Sequence, residues 1–339
     1  MHLSELEYDL PEGLIAQYPL EHRAQARLMV IEQRRGSIAH SRFYKLPREL
    51  RDGDLLILNN TRVIPARLMA RKESGGTLEL LLVRPAEEKP GRWQALVRAH
   101  RPLRAGMILL VNNGHSLRVV EQGRAGRVLI ESANSSSVEE ILTEAGTLAL
   151  PHYIRRVPTA ADLADYQTVY ADRPGAVAAP TAGIHFTPEL LSELDQGSIH
   201  TTSITLHIGP GTFIPLRTHE VERHSMEAEW YTIPDSSVRA IELARRTGGR
   251  VVAVGTSTVR ALESYAVTGD REGFTGLFIY PGFRFKLVDA MVTNFHMPRS
   301  TVLALVMALA GRELILRAYA EAVRHRYRFL SYGDAMLIL

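Results

Sequence analysis

The feature that most restricts the fold is a recurring passage from a short apolar run to an amphipathic one. VVAVG (251–255) reads as a buried strand, and TSTVRALESYAV directly after it reads as a helix. The same rhythm recurs. RLMVIE near the N-terminus and LLIL at 55–58 read as strands, GLFIYPG at 276–282 as another, and DLADYQTVYA at 162–171 as a helix. Asp235 is expected to cap SSVRAIELARRTGG, which ends on two glycines, and STVLALVMALAG and RELILRAYAEAVRHR add two helices. Strands alternating with helices of this length predict a layered, largely parallel α/β domain.

Between about 72 and 132 the texture changes. TLELLLVR, RWQALVRAH, GMILLVN, SLRVV and RVLIES are short alternating segments separated by Gly, Pro and Asn, the pattern of a small all-β barrel or sandwich. SSSVEEILTEAG then reads as a helix with Ser137 as cap and Gly146 as stop. At about 150 residues per domain, 339 residues suit two domains. The expected fold class is α/β: a layered main domain built from both ends of the chain (1–71 and 150–339), with an inserted small all-β, barrel-like domain (72–149). The segment 59–62 reads as a turn, Asn59 and Asn60 supplying turn chemistry, and 63–69 as a second strand.

Composition excludes several classes. There is no cysteine, so disulfides and thiolate metal sites are ruled out, which fits a cytoplasmic protein. The acidic, mixed start MHLSELEYDL is not a signal peptide, and the longest apolar run, 302–310, is far short of the ~20 residues a membrane helix needs. A formal charge of +3 permits an anionic partner without demanding one.

Chemistry concentrates in 175–213. GAVAAPTAGIHF holds Thr181, Gly183 and His185; Thr187 caps a short helix with Pro188 at its first position; ITLHIG then places His207 near a strand end, followed by Gly209 and Gly211 in GPGTF. Glycines after a strand let backbone lie against a ligand. Gly255, Thr256 and Arg260 open a helix after a strand, a turn suited to a carboxylate or phosphate. It is not G-x-G-x-x-G, and no such fingerprint occurs elsewhere, so an ordinary Rossmann nucleotide site is unsupported. Asn294 and His296 follow another apolar run, with Ser300 capping the next helix. Tyr332 and Asp334 lie on a turn before the last strand. Arg324, Arg326 and Arg328, interleaved with Tyr327 and Phe329, suit a nucleic-acid backbone and stacked bases; Arg62 and Arg67 flank an N-terminal β-segment. The His219, His224, Glu227, Glu229 cluster forms no metal-ligand signature.

Taken together, NNTRVIPARL, YQTVYADRPGAVAAPTAGIHF, TLHIGPGTF, VVAVGTSTVRALES, IYPGF, TNFHMPRSTV and YRFLSYGDAM resemble the S-adenosylmethionine:tRNA ribosyltransferase-isomerase family, collinearly from about Tyr8 to Met336. The resemblance implies transfer and isomerisation of the ribosyl part of S-adenosylmethionine onto 7-aminomethyl-7-deazaguanine at the tRNA wobble position, giving epoxyqueuosine-tRNA, adenine and methionine. The donor is consumed as a substrate, so no true cofactor and no metal are expected. It also implies an α/β domain with an inserted barrel. One departure stands out: where the family commonly has His-x-Met-His-x-Glu, this chain has His224, Ser225, Met226, Glu227, Ala228, Glu229. Glu227 in place of a histidine argues against an essential role for that position.

The chemistry asks for a base beside the sulfonium-activated ribose carbon, an acid for the departing adenine, a base to keep the attacking amine neutral, and a carboxylate near the sugar. His185, His207 and His296 are the acid–base candidates and Glu263 and Asp334 the carboxylates. Arg260 with the Gly255–Thr256 turn is the expected holder of the methionine carboxylate. The inserted domain and the basic C-terminal stretch are the expected tRNA contacts, and no membrane partner is expected. A methyltransferase using the same donor and a non-catalytic RNA-binding module are the competing readings. The missing glycine fingerprint weighs against the first, the modest net charge against the second.

Overall fold

A computed structural model describes residues 1–86, 89–99, 102–213, 216 and 218–339; His100, in the RWQALVRAH run, lies outside them. In chain order, β1 (Arg27–Glu32) and β2 (Ser37–Arg42) form an antiparallel pair, and the one-turn α1 (Leu46–Glu49), β3 (Leu55–Asn59) and β4 (Thr61–Val63) follow. The insertion contains β5 (Arg67–Lys72), β6 (Thr77–Pro85), β7 (Arg92–Arg98), β8 (Ile108–Val111), β9 (Ser116–Gln122) and β10 (Arg127–Ser132), then α2 (Val138–Ala145). The chain continues through α3 (Asp162–Asp165), β11 (Arg173–Ala176), α4 (Pro188–Gln196), β12 (His200–Leu206) and β13 (Glu229–Thr232). It ends with α5 (Asp235–Arg246), β14 (Val251–Val254), α6 (Thr256–Thr268), β15 (Glu272–Thr275), β16 (Ala290–Asn294), α7 (Thr301–Ala310), α8 (Arg312–Arg324) and β17 (Ala335–Ile338).

Nine strands form the main sheet in the order β15-β13-β12-β3-β14-β16-β17-β1-β2. Its central strands are apolar on both faces, as a sheet covered on both sides requires. Leu55 and Ile57 of β3, Val251 and Ala253 of β14, and Met336 and Ile338 of β17 meet α5, α6, α7 and α8. Their neighbours Leu56, Leu58, Val252, Val254 and Leu337 meet α4 and the segment around Phe43. The sheet is mixed rather than largely parallel: β12, β3, β14 and β16 run parallel, but β17 lies antiparallel to β16 and the outer strands β13, β15 and β2 are antiparallel too. The insertion is a closed six-stranded barrel, β10-β7-β6-β5-β8-β9, filled by leucine, valine, isoleucine and Trp93, with Val138, Ile141 and Leu142 of α2 over one end. Ser137 and Glu140 cap α2 reciprocally, each bonding the other's backbone N–H.

Four local expectations give way to tertiary partners. The 63–69 strand is divided at Pro65, which lacks an N–H: β4 pairs with β11, and β5 is already a barrel strand. The 162–171 helix stops after α3. The Gln167 amide there bonds both the N–H and the C=O of Val63, and Tyr166 is buried. GLFIYPG is not a strand, because the Arg260 guanidinium takes the Thr275 and Leu277 carbonyls where pairing would continue. Asp235 stands inside α5 after Pro234 and pairs with Arg271 instead of capping.

The irregular run 151–186 is pinned by one carboxylate. Asp162, 1% exposed, accepts both Arg156 guanidinium nitrogens at 2.6 and 2.7 Å, the Thr159 N–H at 2.7 Å and the Tyr332 hydroxyl at 2.8 Å. This donor set holds its carboxyl well below the usual carboxylate range. Asp162→Ala strands the partly buried Arg156 guanidinium and leaves the Thr159 N–H and the buried Tyr332 hydroxyl without their acceptor, and urea unfolding should report a loss of about 3 kcal/mol.

Candidate active site

The parallel strands β12, β3, β14 and β16 end on one side of the sheet, where open α/β sheets place ligands. A cleft opens there, walled by segments from several strand ends. Its walls come from 178–182, from Gly255, Thr256 and Ser257 after β14, from 293–298 after β16, and from His152 and Tyr153. A smaller cleft bounded by Glu229, Arg260 and Met226 shares Ile208, Thr256 and Ser257 with it.

Gly255 turns the chain from β14 into α6 at φ 91°, a conformation that favours glycine. Val259 N–H is the first to find a helical acceptor, the Gly255 carbonyl at 3.3 Å. The N–H groups of Thr256, Ser257 and Thr258 thus form the positive end of a 13-residue helix at the cleft.

Asn59 joins the strand ends and is fully buried, which corrects its reading as turn chemistry. Its Nδ2 donates to the Leu206 carbonyl at 3.0 Å and Ser257 Oγ at 3.1 Å; its Oδ1 accepts the N–H groups of Leu206 at 3.0 Å and Thr61 at 3.1 Å. Both donors and both acceptor sites are used. Thr61 in turn bonds His207 Nδ1 at 2.8 Å, and the His207 ring stacks on Trp230 at 5.1 Å. Gly175 allows this: at φ 149°, a Cβ there would lie 2.7 Å from His207 Nε2.

His296 is in the cleft wall. Its Nε2 lies 2.9 Å from Thr293 Oγ1, its N–H donates to the Tyr319 hydroxyl at 3.0 Å, its carbonyl accepts the Tyr8 hydroxyl, and Nδ1 has no partner among the described residues. His185 lies behind the wall. Asn294 Nδ2 is 3.2 Å from its Nε2, and Thr181 Oγ1 donates to Asn294 Oδ1 at 3.0 Å. Burial pulls His185 and His207 down to about 4 and His296 to about 3, so all three are neutral imidazoles at neutral pH.

The sequence candidates therefore separate. Thr181, Gly255, Thr256 and His296 meet in one cleft, with His185 one hydrogen bond behind it and His207 one residue before its Ile208 wall. Gly209 N–H is held by Glu229 Oε1 at 2.8 Å. Arg260 is committed to Glu229 and to the Thr275 and Leu277 carbonyls, so it is not free to hold a substrate carboxylate. Glu263 is fully buried, accepting the N–H groups of Lys286, Leu287 and Val288 at 2.8–2.9 Å. Asp334 accepts the Arg27 and Arg328 N–H groups at 2.8 Å and pairs with the Arg27 guanidinium. Both carboxylates hold backbone away from the cleft. Gly183 packs on the Tyr170 ring, and Gly211 packs on Glu227, which pairs with Arg127 of the barrel. Glu227 thus ties the two domains together. Of the four arginines, Arg62 lies exposed on β4, Arg324 and Arg326 lie exposed at the end of α8, and half-buried Arg328 donates to the Tyr18 carbonyl.

Residues 3–338 match the profile of a family described as queuosine biosynthesis protein. The chain belongs to that family. A Rubrobacter xylanophilus protein named S-adenosylmethionine:tRNA ribosyltransferase-isomerase is 50% identical over 339 residues, covering 100% of this chain and 98% of the relative. One of the same name from Geobacter metallireducens is 45% identical over 342 residues, with 100% of each chain covered. The crystal structure of the S-adenosylmethionine tRNA ribosyltransferase from Thermotoga maritima matches with a TM-score of 0.57 at 39% identity, covering 99% of this chain and 100% of that one.

Sequence reasoning missed His152, Tyr153 and Ser331 in the cleft wall and Trp230 against His207. Tyr153 and Ser331 bond each other at 2.7 Å from positions 178 apart, which no local pattern signals.

Two outcomes test this geometry. Asn59→Ala leaves the Leu206 N–H and C=O and the Thr61 N–H without their partner, and chemical denaturation should show a loss of about 3 kcal/mol or more. The three histidines have folded pKa values below the unfolded 6.5, so their stability contribution is complete above pH 6.5 and is lost as pH falls from there toward 4. The urea midpoint should drop between pH 6.5 and 5, before most carboxylates titrate; a flat midpoint there would contradict their burial.

Proposed function

We propose that this chain transfers and isomerises the ribosyl moiety of S-adenosylmethionine onto 7-aminomethyl-7-deazaguanine at the wobble position of the tRNA anticodon loop, giving epoxyqueuosine-tRNA, adenine and methionine. It does so in the cytoplasm, with no resident cofactor and with the sulfonium donor consumed. The observation that carries the reading is one cleft, in a chain matched over residues 3–338 by its family, that sets a helix N-terminus beside a histidine whose Nδ1 has no partner among the described residues.

The methionine carboxylate binds the N–H groups of Thr256 and Ser257, where helix dipole and unbonded donors coincide; Arg260 shapes this floor through Glu229. The sulfonium acidifies the adjoining ribose carbon. His296, neutral at working pH, takes that proton on its ring nitrogen and leaves an ylide. The C1′–N9 bond to adenine breaks, adenine leaves with a proton, and the neutral aminomethyl nitrogen bonds to the sugar. The nitrogen's lone pair then opens the C1′–O4′ bond to an iminium, the ylide carbon C5′ adds to C1′ and closes the five-carbon ring, and the O4′ alkoxide displaces the sulfonium from C5′, forming the epoxide and freeing methionine. Thr181 and Asn294, the latter held by His185, orient the donor. His207 with Thr61 and Trp230 keeps the loop at Ile208–Gly209 in place, so His185 and His207 are positioning residues. Glu229 is the carboxylate that borders the smaller, adjoining cleft and takes that role in place of Glu263 and Asp334. Arg84 and Lys89, which line a groove on the barrel, and the exposed Arg62, Arg324 and Arg326 are the basic groups offered to tRNA phosphates.

Purified protein, S-adenosylmethionine and tRNA carrying 7-aminomethyl-7-deazaguanine should release adenine in step with an epoxyqueuosine-mass nucleoside. S-adenosylhomocysteine instead would mean methyl transfer, and donor left intact with tRNA bound would mean a binding module. His296→Ala should lower adenine release by about 100-fold or more, with tRNA affinity within about twofold. His185→Ala and His207→Ala should likewise act on turnover more than on tRNA binding; equal losses in both would sink their assignment.

A further inference from the structure

We propose that His40, Glu321 and His325 form a zinc-type divalent metal site on the sheet edge, separate from the cleft. His40 lies on β2, and Glu321 and His325 are four residues apart on the last turn of α8 and its end. Glu321 Oε1 is 2.8 Å from His40 Nε2 and 4.0 Å from His325 Nε2, and one ligand atom from each residue lies within 4.8 Å of the others. Ligands about 2.0–2.1 Å from a tetrahedral zinc stand roughly 3.4 Å apart, so small side-chain rotations close the set. Both histidines are exposed enough to make them, at 38% and 47% of their side-chain surface.

Two features exceed an ordinary ion pair. First, His40 Nδ1 is 2.7 Å from the hydroxyl of buried Tyr327, the outer-shell bond that orients a metal-binding imidazole and leaves Nε2 for the ion. Tyr327 is itself wedged between the Arg27 guanidinium, 4.2 Å above its ring, and Phe295. Second, the two imidazole rings lie 4.8 Å apart, tilted by 44°, and share a carboxylate on one side. Two imidazoles and one carboxylate suit zinc or its neighbours rather than magnesium or calcium, with the open positions left to water. Arg324, 3.9 Å from Glu321 and 73% exposed, acts as counter-ion in the metal-free state and swings into solvent when the ion binds. None of the three ligands lines the cleft. The ion would lock β2 to α8, the helix whose Tyr319 hydroxyl accepts the His296 N–H.

Untagged, chelator-stripped full-length protein should bind one zinc ion per chain in calorimetric titration and melt at a higher temperature with zinc, but not with magnesium. Cobalt(II) should give visible absorption of tetrahedral character. H40A, H325A and E321Q should each weaken zinc binding by at least about tenfold, and Tyr327→Phe should weaken it less, while all four keep the metal-free melting temperature and adenine release within about twofold. Failure of folded wild type to bind zinc saturably, or unchanged affinity in the H40A/H325A double variant, overturns the site. Neither result bears on the ribosyl-transfer reading, which the adenine assay tests separately.

Discussion

One buried side-chain amide holds the working end of this protein together. Asn59 ends β3, one of the inner strands of the sheet, bonds the backbone of the neighbouring β12 in both directions, and donates to Ser257 on the first turn of α6. It thereby ties the first turn of α6 to β3 and β12 at the end of the ladder those two strands share. Thr61, which Asn59 also holds, passes that registration to His207. A buried amide with every site satisfied is stiff because each alternative pose leaves a polar group bare at a cost of several kcal/mol. The helix N-terminus and the glycine loop therefore face the cleft in one arrangement.

The three histidines are set by desolvation rather than by charge partners. Burial dominates the depressed pKa of His185, His207 and His296, and it keeps them neutral. This suits a reaction that starts from a cationic sulfonium donor: an imidazolium in the same cleft would repel it, whereas a neutral imidazole accepts a proton from it. In the proposed reading the methionine carboxylate is left to the backbone N–H groups of α6, because the Arg260 guanidinium bounding the smaller cleft is neutralised by Glu229. The cleft is thus close to neutral overall, with its polarity supplied by fixed dipoles.

The carboxylates illustrate how far residue type alone carries an argument. Glu263 and Asp334 are acidic residues among the family-like blocks, and nothing in their surroundings in sequence distinguishes a catalytic role from a structural one. In the fold each is surrounded by backbone N–H donors and, for Asp334, by Arg27, so their charge is spent on shaping loops. Glu227 is similar: its departure from the family pattern has a partner, Arg127, one hundred residues earlier on the barrel.

By itself the sequence determined the layered α/β domain, the inserted barrel, the caps at Ser137, Thr187 and Ser300, and the family, because periodicity, capping chemistry and ordered motifs are local properties of the chain. It also marked the glycine- and histidine-rich stretch as the region of chemistry. The tertiary structure alone decided which histidine stands in the cleft, which arginine and carboxylates are already spent, where 63–69 breaks, and that His40 meets Glu321 from 281 residues away. Those outcomes depend on which donors and acceptors meet after the sheet closes, and a buried polar group takes the partner the fold supplies, wherever that partner lies in the chain.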